Sequence, residues 1–437
     1  MAKKKYCLVG TGVRGVKMFL LPLVKDYADV AELTGICDLN PGRLALAKRL
    51  LGRDVPAFTD FGEMLANVSC DTVIVTTKDA THHEYIIKAL EAGKDVITEK
   101  PMTIDDEKCR AILAAEERAG RRVRGTFNYR YAPFKTKIKE LLRQGIVGEI
   151  FSVEFRWFLD TVHGADYYRR WHAQKANSGG LLVHKATHHF DLVNWWTGQE
   201  PELVFALGAR RFYGPTRDQR SERCLDCRFT SACQFHLDLR ADEELRSFYL
   251  ENEAHDGYHR DGCVFSPRID IEDTMSVLVR YKNGMLLSYN LSSYAPFEGW
   301  SVAFNGPLGR LEATEEETFL PTTQPRFAAR TAPENRYPAD WYLAAFGEKE
   351  RKTRFTIRFY PVYGGVETFT VPASEGGHGG GDRRLLEMLF REDVLDPLGH
   401  AATSRDGAMS ILIGIAANKS IATGQPVRIA ELLGRRD

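Results

Sequence analysis

The stretch Tyr6-Cys7-Leu8-Val9-Gly10-Thr11-Gly12-Val13-Arg14-Gly15 lies close to the start of the chain. Four apolar residues typical of a buried strand precede three glycines spaced as G-x-G-x-x-G, and a helical pattern follows. In such a motif Gly10 permits a tight turn, Gly12 lets a phosphate approach the backbone, and Gly15 lets the helix pack on the strand. Free amides at the start of the helix bind a diphosphate. Because glycines after a strand often make only a turn, the triplet alone does not decide between a turn and a phosphate site.

The next strand-like run ends at an acidic residue. Glu32-Leu33-Thr34-Gly35-Ile36-Cys37 leads to Asp38, about 25 residues beyond the loop, where a carboxylate accepts hydrogen bonds from the ribose of an adenosine. Together the two features predict a dinucleotide site that takes NAD, since an aspartate there repels a 2′-phosphate. Arg43 lies near enough in the sequence to leave NADP open, and Asp38 can also cap the helix that follows through Asn40 and Pro41.

From residue 6 to about residue 127, short β-branched runs alternate with helical patterns, as in the βαβ units of a parallel sheet. We predict a doubly wound Rossmann domain over residues 1–127. Its predicted strands are Tyr6–Val9, Glu32–Asp38, Thr72–Thr76, Asp95–Thr98 and Arg122–Thr126. Its predicted helices begin at Gly12 and after Pro41, and span His83–Ala92 and Ile104–Ala119.

Beyond Pro133 the pattern changes, and we predict a second α/β domain over residues 128–437 with a largely antiparallel sheet that is open on one face. Its predicted helices are Phe134–Arg143 and Gly180–Trp196. Its predicted strands are Ile150–Asp160, Met275–Tyr281, Met285–Ser293, Trp300–Asn305 and Phe355–Tyr360. Residues 214–268, rich in Arg, Asp, His and Cys, interrupt this pattern as an insertion.

Composition excludes several classes of partner. The 437 residues contain 59 Lys and Arg against 59 Asp and Glu, so the broad positive field that drives most nucleic-acid binding is missing. Apolar stretches are far shorter than the roughly 20 residues that cross a bilayer. The apolar run after the N-terminal lysines ends at Gly10, too early for a signal peptide. Scattered cysteines suit a reducing compartment, so we expect a cytoplasmic protein without a nucleic-acid or membrane partner.

Further motifs make the chain resemble a known family. Glu99-Lys100-Pro101 directly follows the strand Asp95–Thr98, and Gly179-Gly180 precedes a His188-x-x-Asp191 pattern. With the glycine loop, they resemble the glucose-fructose oxidoreductase and inositol dehydrogenase family (Gfo/Idh/MocA) over nearly the whole chain apart from the insertion. The resemblance implies a C-terminal α/β domain whose open sheet supports a homo-oligomer, a dimer or a tetramer. It also extends to residues expected to bind the cofactor: Thr76, Thr77, His82, Glu99, Lys100 and Asn128.

Lys100 and His188 are expected to carry the chemistry, with His184 and Lys185 as further catalytic candidates. A lysine at the carboxyl end of a strand points into the crevice of an α/β sheet, so Lys100 can hold a substrate hydroxyl and favour the developing alkoxide. By the resemblance, His188 is the acid–base residue, and a histidine suits that task because it titrates near neutrality. Asp191 matches the acidic residue that the family has downstream, which orients a partner or the sugar.

One position departs from the family pattern. The family usually has an aspartate four residues before this histidine, whereas the chain has His184, followed by Lys185. On a continuous helix, His184, His188 and Asp191 share one face. This difference leaves several interpretations open: a different proton relay, an anionic substrate, or participation of Lys185. It is also compatible with a metal ion held by the histidine pair or with a structural role for His184.

Polar residues interleaved with aromatics suit a pyranose, whose CH face stacks on a ring while its hydroxyls need partners. The substrate-binding candidates are Tyr129, Arg130, His163, Arg169, Trp171 and Asp191.

The insertion contains Cys224, Cys227, Cys233 and Cys263 in a segment with too few apolar residues for a core of its own. We predict a structural zinc ion on the four thiolates, with an iron–sulfur cluster, disulfides or unligated cysteines as the alternatives.

The sequence as a whole predicts an oxidoreductase that moves a hydride between nicotinamide and a ring carbon of a sugar, glycoside or cyclitol. One alternative is a redox-neutral glycoside hydrolase that oxidises, eliminates and restores the cofactor. The other is a non-catalytic sensor that only binds the dinucleotide.

Overall fold

The computed structural model describes residues 2–318, 352–371, 377–391 and 393–434. In its N-terminal part, short buried strands alternate with helices, as the sequence pattern predicts. The strands are Lys4–Val9 (β1), Ala31–Cys37 (β2), Ala57–Phe58 (β3), Thr72–Val75 (β4), Asp95–Thr98 (β5) and Val123–Gly125 (β6). The helices are Gly15–Leu20, which is a π-helical segment, Leu21–Lys25, Pro41–Leu51, Phe61–Asn67, His82–Glu91 and Asp106–Ala119.

These six strands form a parallel sheet in the order β3-β2-β1-β4-β5-β6, with helices on both faces. A further short strand, Ala402–Thr403 (β15), pairs with β6 in the antiparallel direction. The predicted doubly wound Rossmann sheet is confirmed. Because the strand order reverses between β1 and β4, a crevice opens at their carboxyl ends, where such sheets bind their ligands.

The strands of the second sheet are Ser152–Asp160 (β7), Pro201–Ala209 (β8), Thr274–Tyr281 (β9), Leu286–Ala295 (β10), Glu298–Gly306 (β11), Gly309–Thr318 (β12), Lys352–Pro361 (β13), Glu367–Phe369 (β14) and Val427–Arg428 (β16). They lie in the order β14-β13-β12-β11-β7-β10-β9-β8-β16. β10 pairs with β7 in parallel, and the other neighbours pair in the antiparallel direction. Buried and exposed residues alternate strictly along β9, so one face of the sheet is open, as predicted.

Helices of the second half connect this sheet to the first. They are Pro133–Arg143, Thr161–Arg169, Lys175–Ser178, Leu181–His184, Thr187–Thr197, Glu243–Phe248, Glu253–Asp256, Gly381–Phe390, Ser404–Thr423 and Ile429–Leu432. Leu385, Leu389 and Phe390 pack in the same core as Leu8 of β1, so the C-terminal chain returns to the Rossmann sheet. Within the described ranges, no helix has the length and apolarity that crossing a membrane requires.

The predicted continuous helix Gly180–Trp196 is wrong in one respect, because the structure has two helices, Leu181–His184 and Thr187–Thr197. The amide of Ala186 reaches back five residues to the carbonyl of Leu181, at 2.8 Å, which closes the first helix. His184 and His188 therefore do not share one continuous helix.

Candidate active site

A crevice of about 2150 Å³ separates the carboxyl ends of the Rossmann strands from the helices of the second domain. Its walls include the glycine loop, the residues after β2, β4 and β5, both helices around His184 and His188, and part of the insertion. Residues from distant parts of the chain thus face one space.

The glycines of the loop have the separate tasks that the motif predicts. Gly10 has a φ of +96°, which side-chain-bearing residues rarely adopt. A Cβ on Gly15 would lie 2.2 Å from the carbonyl oxygen of Gly10, so only glycine lets the helix approach this closely. No atom lies within 4 Å of a Cβ placed on Gly12, which borders the crevice. The backbone at Gly12 is therefore open to a ligand.

Asp38 holds the loop in place. Its Oδ2 accepts hydrogen bonds from the amide of Thr11 at 2.7 Å and from the Thr11 hydroxyl at 3.1 Å, while Oδ1 accepts from the amide of Asn40 at 2.9 Å. The helix cap is Asn40, whose side chain accepts from the amides of Gly42 and Arg43. The carboxylate of Asp38 still borders the crevice, so these residues fit an adenosine ribose.

A chain of polar contacts joins the loop to the second domain. Arg14 Nε donates to Glu99 Oε1 at 2.6 Å, and Arg14 Nη1 lies 3.9 Å from Asp382. The side-chain amide of Asn128 donates to Asp382 at 2.6 Å, and His378 Nδ1 lies 3.0 Å from the same carboxylate. Arg14, Glu99 and Asn128, all predicted at the cofactor, are thus brought to one place.

Thr76, Thr77 and His82 shape the turn after β4. The Thr76 hydroxyl donates to the carbonyl oxygen of Gly10 at 2.7 Å. The two ring nitrogens of His82 lie 2.8 Å from the carbonyl oxygen of Pro101 and 3.0 Å from that of Thr77. His82 therefore ties the turn after β4 to the Lys100-Pro101 segment after β5.

Lys100 sits between the two domains. Its Nζ donates to the carbonyl oxygen of His184 at 3.1 Å. Burial lowers the pKa of Lys100 to about 8, with the nearby charge of Lys185 acting in the same direction and that of Asp79 opposing it. The side chain is consequently a weak acid poised just above neutrality.

Asp79, which the sequence motifs did not single out, binds His184. Its Oδ2 lies 2.5 Å from His184 Nδ1, and both side chains are buried. The Rossmann domain thus supplies a carboxylate beside His184, the position at which the family usually has an aspartate. Burial lowers the pKa of His184 well below its ordinary value and raises that of Asp79. The one signal in the sequence is an acidic residue three positions after Thr76, at the carboxyl end of a parallel strand.

His188 lies on the opposite wall. Its ring stacks on Tyr129 with centroids 4.0 Å apart and an angle of 11° between the planes, and its Nδ1 has no hydrogen-bond partner among the described residues. Burial, reinforced by the charge of Lys100, lowers the pKa of His188 well below its ordinary value, so the imidazole is neutral at neutral pH. Lys185 Nζ lies 3.3 Å from the Tyr129 hydroxyl, which places the predicted lysine at this wall too.

Two further candidates, His163 and Trp171, also border the crevice. His163 Nδ1 lies 2.9 Å from Glu298 and its Nε2 lies 3.0 Å from the Tyr167 hydroxyl. Trp171 stacks on His172 with centroids 3.6 Å apart. The partly exposed indole offers an aromatic face to the crevice.

The structure does not bring Arg130, Arg169 and Asp191 to the crevice. Arg130 and Asp191 pair at 2.5 Å with side chains at most 2% exposed, one helical turn below His188. Arg169 donates to the Cys224 sulfur at 3.4 Å and to the Phe235 carbonyl, anchoring the insertion. The family resemblance and a predicted helix face both pointed to Asp191, but the face is interrupted and the carboxylate is covered by Arg130.

The four insertion cysteines line one cavity of about 20 Å³. The predicted zinc ion is nevertheless not supported, because no group of three or more His, Cys, Asp or Glu in the described ranges is arranged to hold a metal. The same finding gives no support to a metal on the histidine pair. Two of the four sulfurs have guanidinium partners: Arg169 Nη1 lies 3.4 Å from the Cys224 sulfur, and Arg217 Nη2 lies 3.3 Å from that of Cys233.

The fold and the crevice define a dinucleotide-binding oxidoreductase, and comparison with known proteins identifies its family. Residues 4–127 match the model described as "Oxidoreductase family, NAD-binding Rossmann fold", and residues 139–429 match "Oxidoreductase family, C-terminal alpha/beta domain". The chain belongs to the Gfo/Idh/MocA oxidoreductase family, and its Rossmann domain binds NAD.

Several relatives give the range of similarity. The chain is 38% identical over 449 residues to "Putative oxidoreductase YteT" of Bacillus subtilis (strain 168), covering 98% of each protein. It is 27% identical over 192 residues to an inositol 2-dehydrogenase/D-chiro-inositol 3-dehydrogenase of Lactiplantibacillus plantarum, covering 44% of this chain and 51% of that one. The WlbA dehydrogenase from Bordetella pertussis, solved with NADH and UDP-GlcNAcA, has the same fold, with a TM-score of 0.62, 20% identity and coverage of 98% and 99% of the two chains.

Proposed function

We propose that the protein uses NAD to oxidise a hydroxyl-bearing ring carbon of a sugar, glycoside or cyclitol. His188 serves as the general base, and Lys100 binds the hydroxyl. One observation carries the proposal: the two side chains come from different domains and border the same crevice as the glycine loop and Asp38. The names of the inositol dehydrogenase relatives support the substrate class.

The neutral imidazole of His188 is suited to accept the proton of the hydroxyl. Burial keeps its pKa low, and Tyr129, stacked 4.0 Å away, fixes the plane of the ring. A positioned base of this kind contributes about 10²- to 10⁴-fold to a rate.

The ammonium of Lys100 is suited to bind the same hydroxyl as its oxygen becomes negative. One N–H is used on the His184 carbonyl at 3.1 Å, which fixes the position of Nζ. The remaining donors are available to a ligand in the crevice. NAD, when bound, supplies the acceptor for the hydride from the ring carbon.

The partly exposed ring of Trp171 on the second-domain wall suits the apolar face of a sugar, and His163 and Lys185 provide polar groups at the same crevice. Tyr129 and Trp157 also border the crevice, but their rings are stacked on His188 and His189. This mixture of stacking faces and hydrogen-bonding groups is typical of carbohydrate sites.

The test measures NADH absorbance with wild-type protein and a panel of free sugars, cyclitols and p-nitrophenyl glycosides, with released phenol followed in parallel. Lys100→Ala should lower turnover roughly 10³-fold while NADH binding, followed by fluorescence, persists. Lys88→Ala, which changes an exposed lysine, is the matched control. Full turnover in Lys100→Ala overturns the assignment. Phenol release without net NADH favours the redox-neutral hydrolase instead, and NADH binding without turnover of any compound favours the sensor.

A further inference from the structure

The segment between β8 and β9, which contains the cysteine-rich insertion, packs on the start of the helix Pro41–Leu51. The Asn40 side chain donates to the carbonyl oxygen of Asn252 at 2.9 Å. A Cβ on Gly42 would lie 1.8 Å from the Asn252 side-chain oxygen, so the two segments are in close contact. The insertion therefore covers the end of the crevice where Asp38 lies.

At this contact Arg43 forms an ion pair with Asp256 of the insertion. The side chain of Arg43 is 14% exposed and that of Asp256 is 25% exposed. Arg43, Asp256 and Asp38 all border the crevice. The insertion thus adds a second carboxylate at the place where Asp38 is expected to meet the adenosine ribose.

The charges at this place decide which ribose fits. Asp38 and Asp256 are two carboxylates, and Arg43 is one guanidinium, so the three side chains together carry one net negative charge. A phosphate monoester carries about −1.5 to −2 charges at pH 7 and is repelled by such a group. Rossmann proteins that accept NADP place an arginine near the ribose to bind this phosphate. Arg43 is that arginine, but Asp256 already pairs with it.

We infer that Asp256 is a specificity-determining residue: by pairing with Arg43, it makes the insertion exclude NADP and leaves the crevice to NAD. The inference rests on the dinucleotide site of the proposed function. It gives the insertion a task that needs no metal ion.

One nitrogen of the Arg43 guanidinium keeps the capacity to donate to an anion. Its buried Nε has no hydrogen-bond partner among the described residues. Removal of the Asp256 charge would leave the guanidinium beside the crevice with donors to spare.

The experiment compares the Kd values of NADH and NADPH, measured by fluorescence titration on the full chain. The variants are Asp256→Asn, Arg43→Ala, the double variant and Lys17→Ala. Lys17 is the matched control because it forms another ion pair with the insertion, to Glu244, that does not involve Arg43. We expect Asp256→Asn to tighten NADPH binding about tenfold and to change NADH binding less than about twofold, a difference of the size expected for one partly exposed charge. The double variant should lose the gain, since Arg43 provides it.

Unchanged NADPH affinity in Asp256→Asn, with NADH bound normally, overturns the inference and leaves the proposed function intact. An equal gain in Lys17→Ala also overturns it, because loosening of the insertion would then be the cause. Wild-type protein that binds neither dinucleotide contradicts the proposed function itself.

Discussion

At the scale of single residues, burial has opposite consequences for the two groups that we propose to meet the substrate. It lowers the pKa of His188, which must be deprotonated to act as a base, and it lowers the pKa of Lys100, which must be protonated to hold an alkoxide. The deprotonated form of His188 is therefore present over a wider pH range than that of an ordinary histidine. The protonated form of Lys100 is present over a narrower pH range than that of an ordinary lysine.

This difference predicts the shape of the pH profile. As pH rises through about 8, Lys100 loses its proton, so kcat/KM should fall on the alkaline side with an apparent pKa of about 8. The acid limb should lie below the ordinary titration range of histidine. Steady-state rates across pH check both limbs. Lys100→Arg keeps its charge at high pH and should remove the alkaline limb; the same limb in this variant would contradict the assignment.

Asp79 offers a test of positioning. Its charge raises the pKa of Lys100, and its carboxylate holds His184, whose carbonyl oxygen binds Lys100. Asp79→Asn keeps an acceptor for His184 but removes the charge, so the alkaline limb should move to lower pH while NADH affinity stays constant. A loss of rate at every pH with no shift of the limb would show that Asp79 only supports the fold.

The glycine loop and Lys100 could be predicted because each belongs to a local motif with its own geometry, and His188 was predicted from the family resemblance. Asp79 was missed because its role depends on a contact with His184, 105 residues later, that no local pattern records. Asp191 was predicted from the family resemblance and from helical periodicity, and neither can show that Arg130 covers its carboxylate.

At the scale of elements, two glycines of the same loop differ in their effect on stability, although both are expected to affect ligand binding. Gly15→Ala would place a Cβ 2.2 Å from the carbonyl oxygen of Gly10 and should lower stability by about 1–3 kcal/mol. Gly12→Ala meets no atom within 4 Å and should leave the melting temperature nearly unchanged. Both should weaken NADH binding at least about tenfold, since the methyl of the second fills the space for the pyrophosphate. Thermal unfolding and NADH titration check the pair; undiminished NADH binding by Gly12→Ala would contradict the phosphate site.

The sequence predicted strands correctly where apolar and polar residues alternate regularly, as in β9 and β10. It missed strands in which this alternation is weak. β12 contains Glu312, Glu315, Glu316 and Glu317, so its two buried apolar residues, Leu311 and Ala313, were not recognised as a strand. β15 and β16 have two residues each, too few for a periodic signal. The helix break at Ala186 depends on one backbone hydrogen bond that residue types do not encode.

At the scale of the whole molecule, the open face of the second sheet carries exposed apolar side chains. Leu207, Leu278 and Leu286, on the neighbouring strands β8, β9 and β10, are 64%, 59% and 55% exposed. Such a patch is typical of a surface that associates. We expect a homo-oligomer that buries this face, as the resemblance to the family implies.

Sedimentation analysis checks the expectation. Wild-type protein should sediment as a multiple of 49.4 kDa, and Leu278→Glu should dissociate it because a buried charge is costly at an apolar interface. Circular dichroism of the variant controls for folding. A wild-type particle of single-chain mass at micromolar concentration would contradict the proposed interface.

The proposed active site needs both domains, because Lys100 comes from one and the imidazole of His188 from the other. A crystal structure of the protein with NAD bound would show whether the two groups meet at the nicotinamide. We expect the diphosphate to lie on the backbone at Gly12 and the nicotinamide ring to lie beside both Lys100 Nζ and the ring of His188. A nicotinamide that contacts neither nitrogen, or a dinucleotide bound outside the crevice, would contradict the proposed active site.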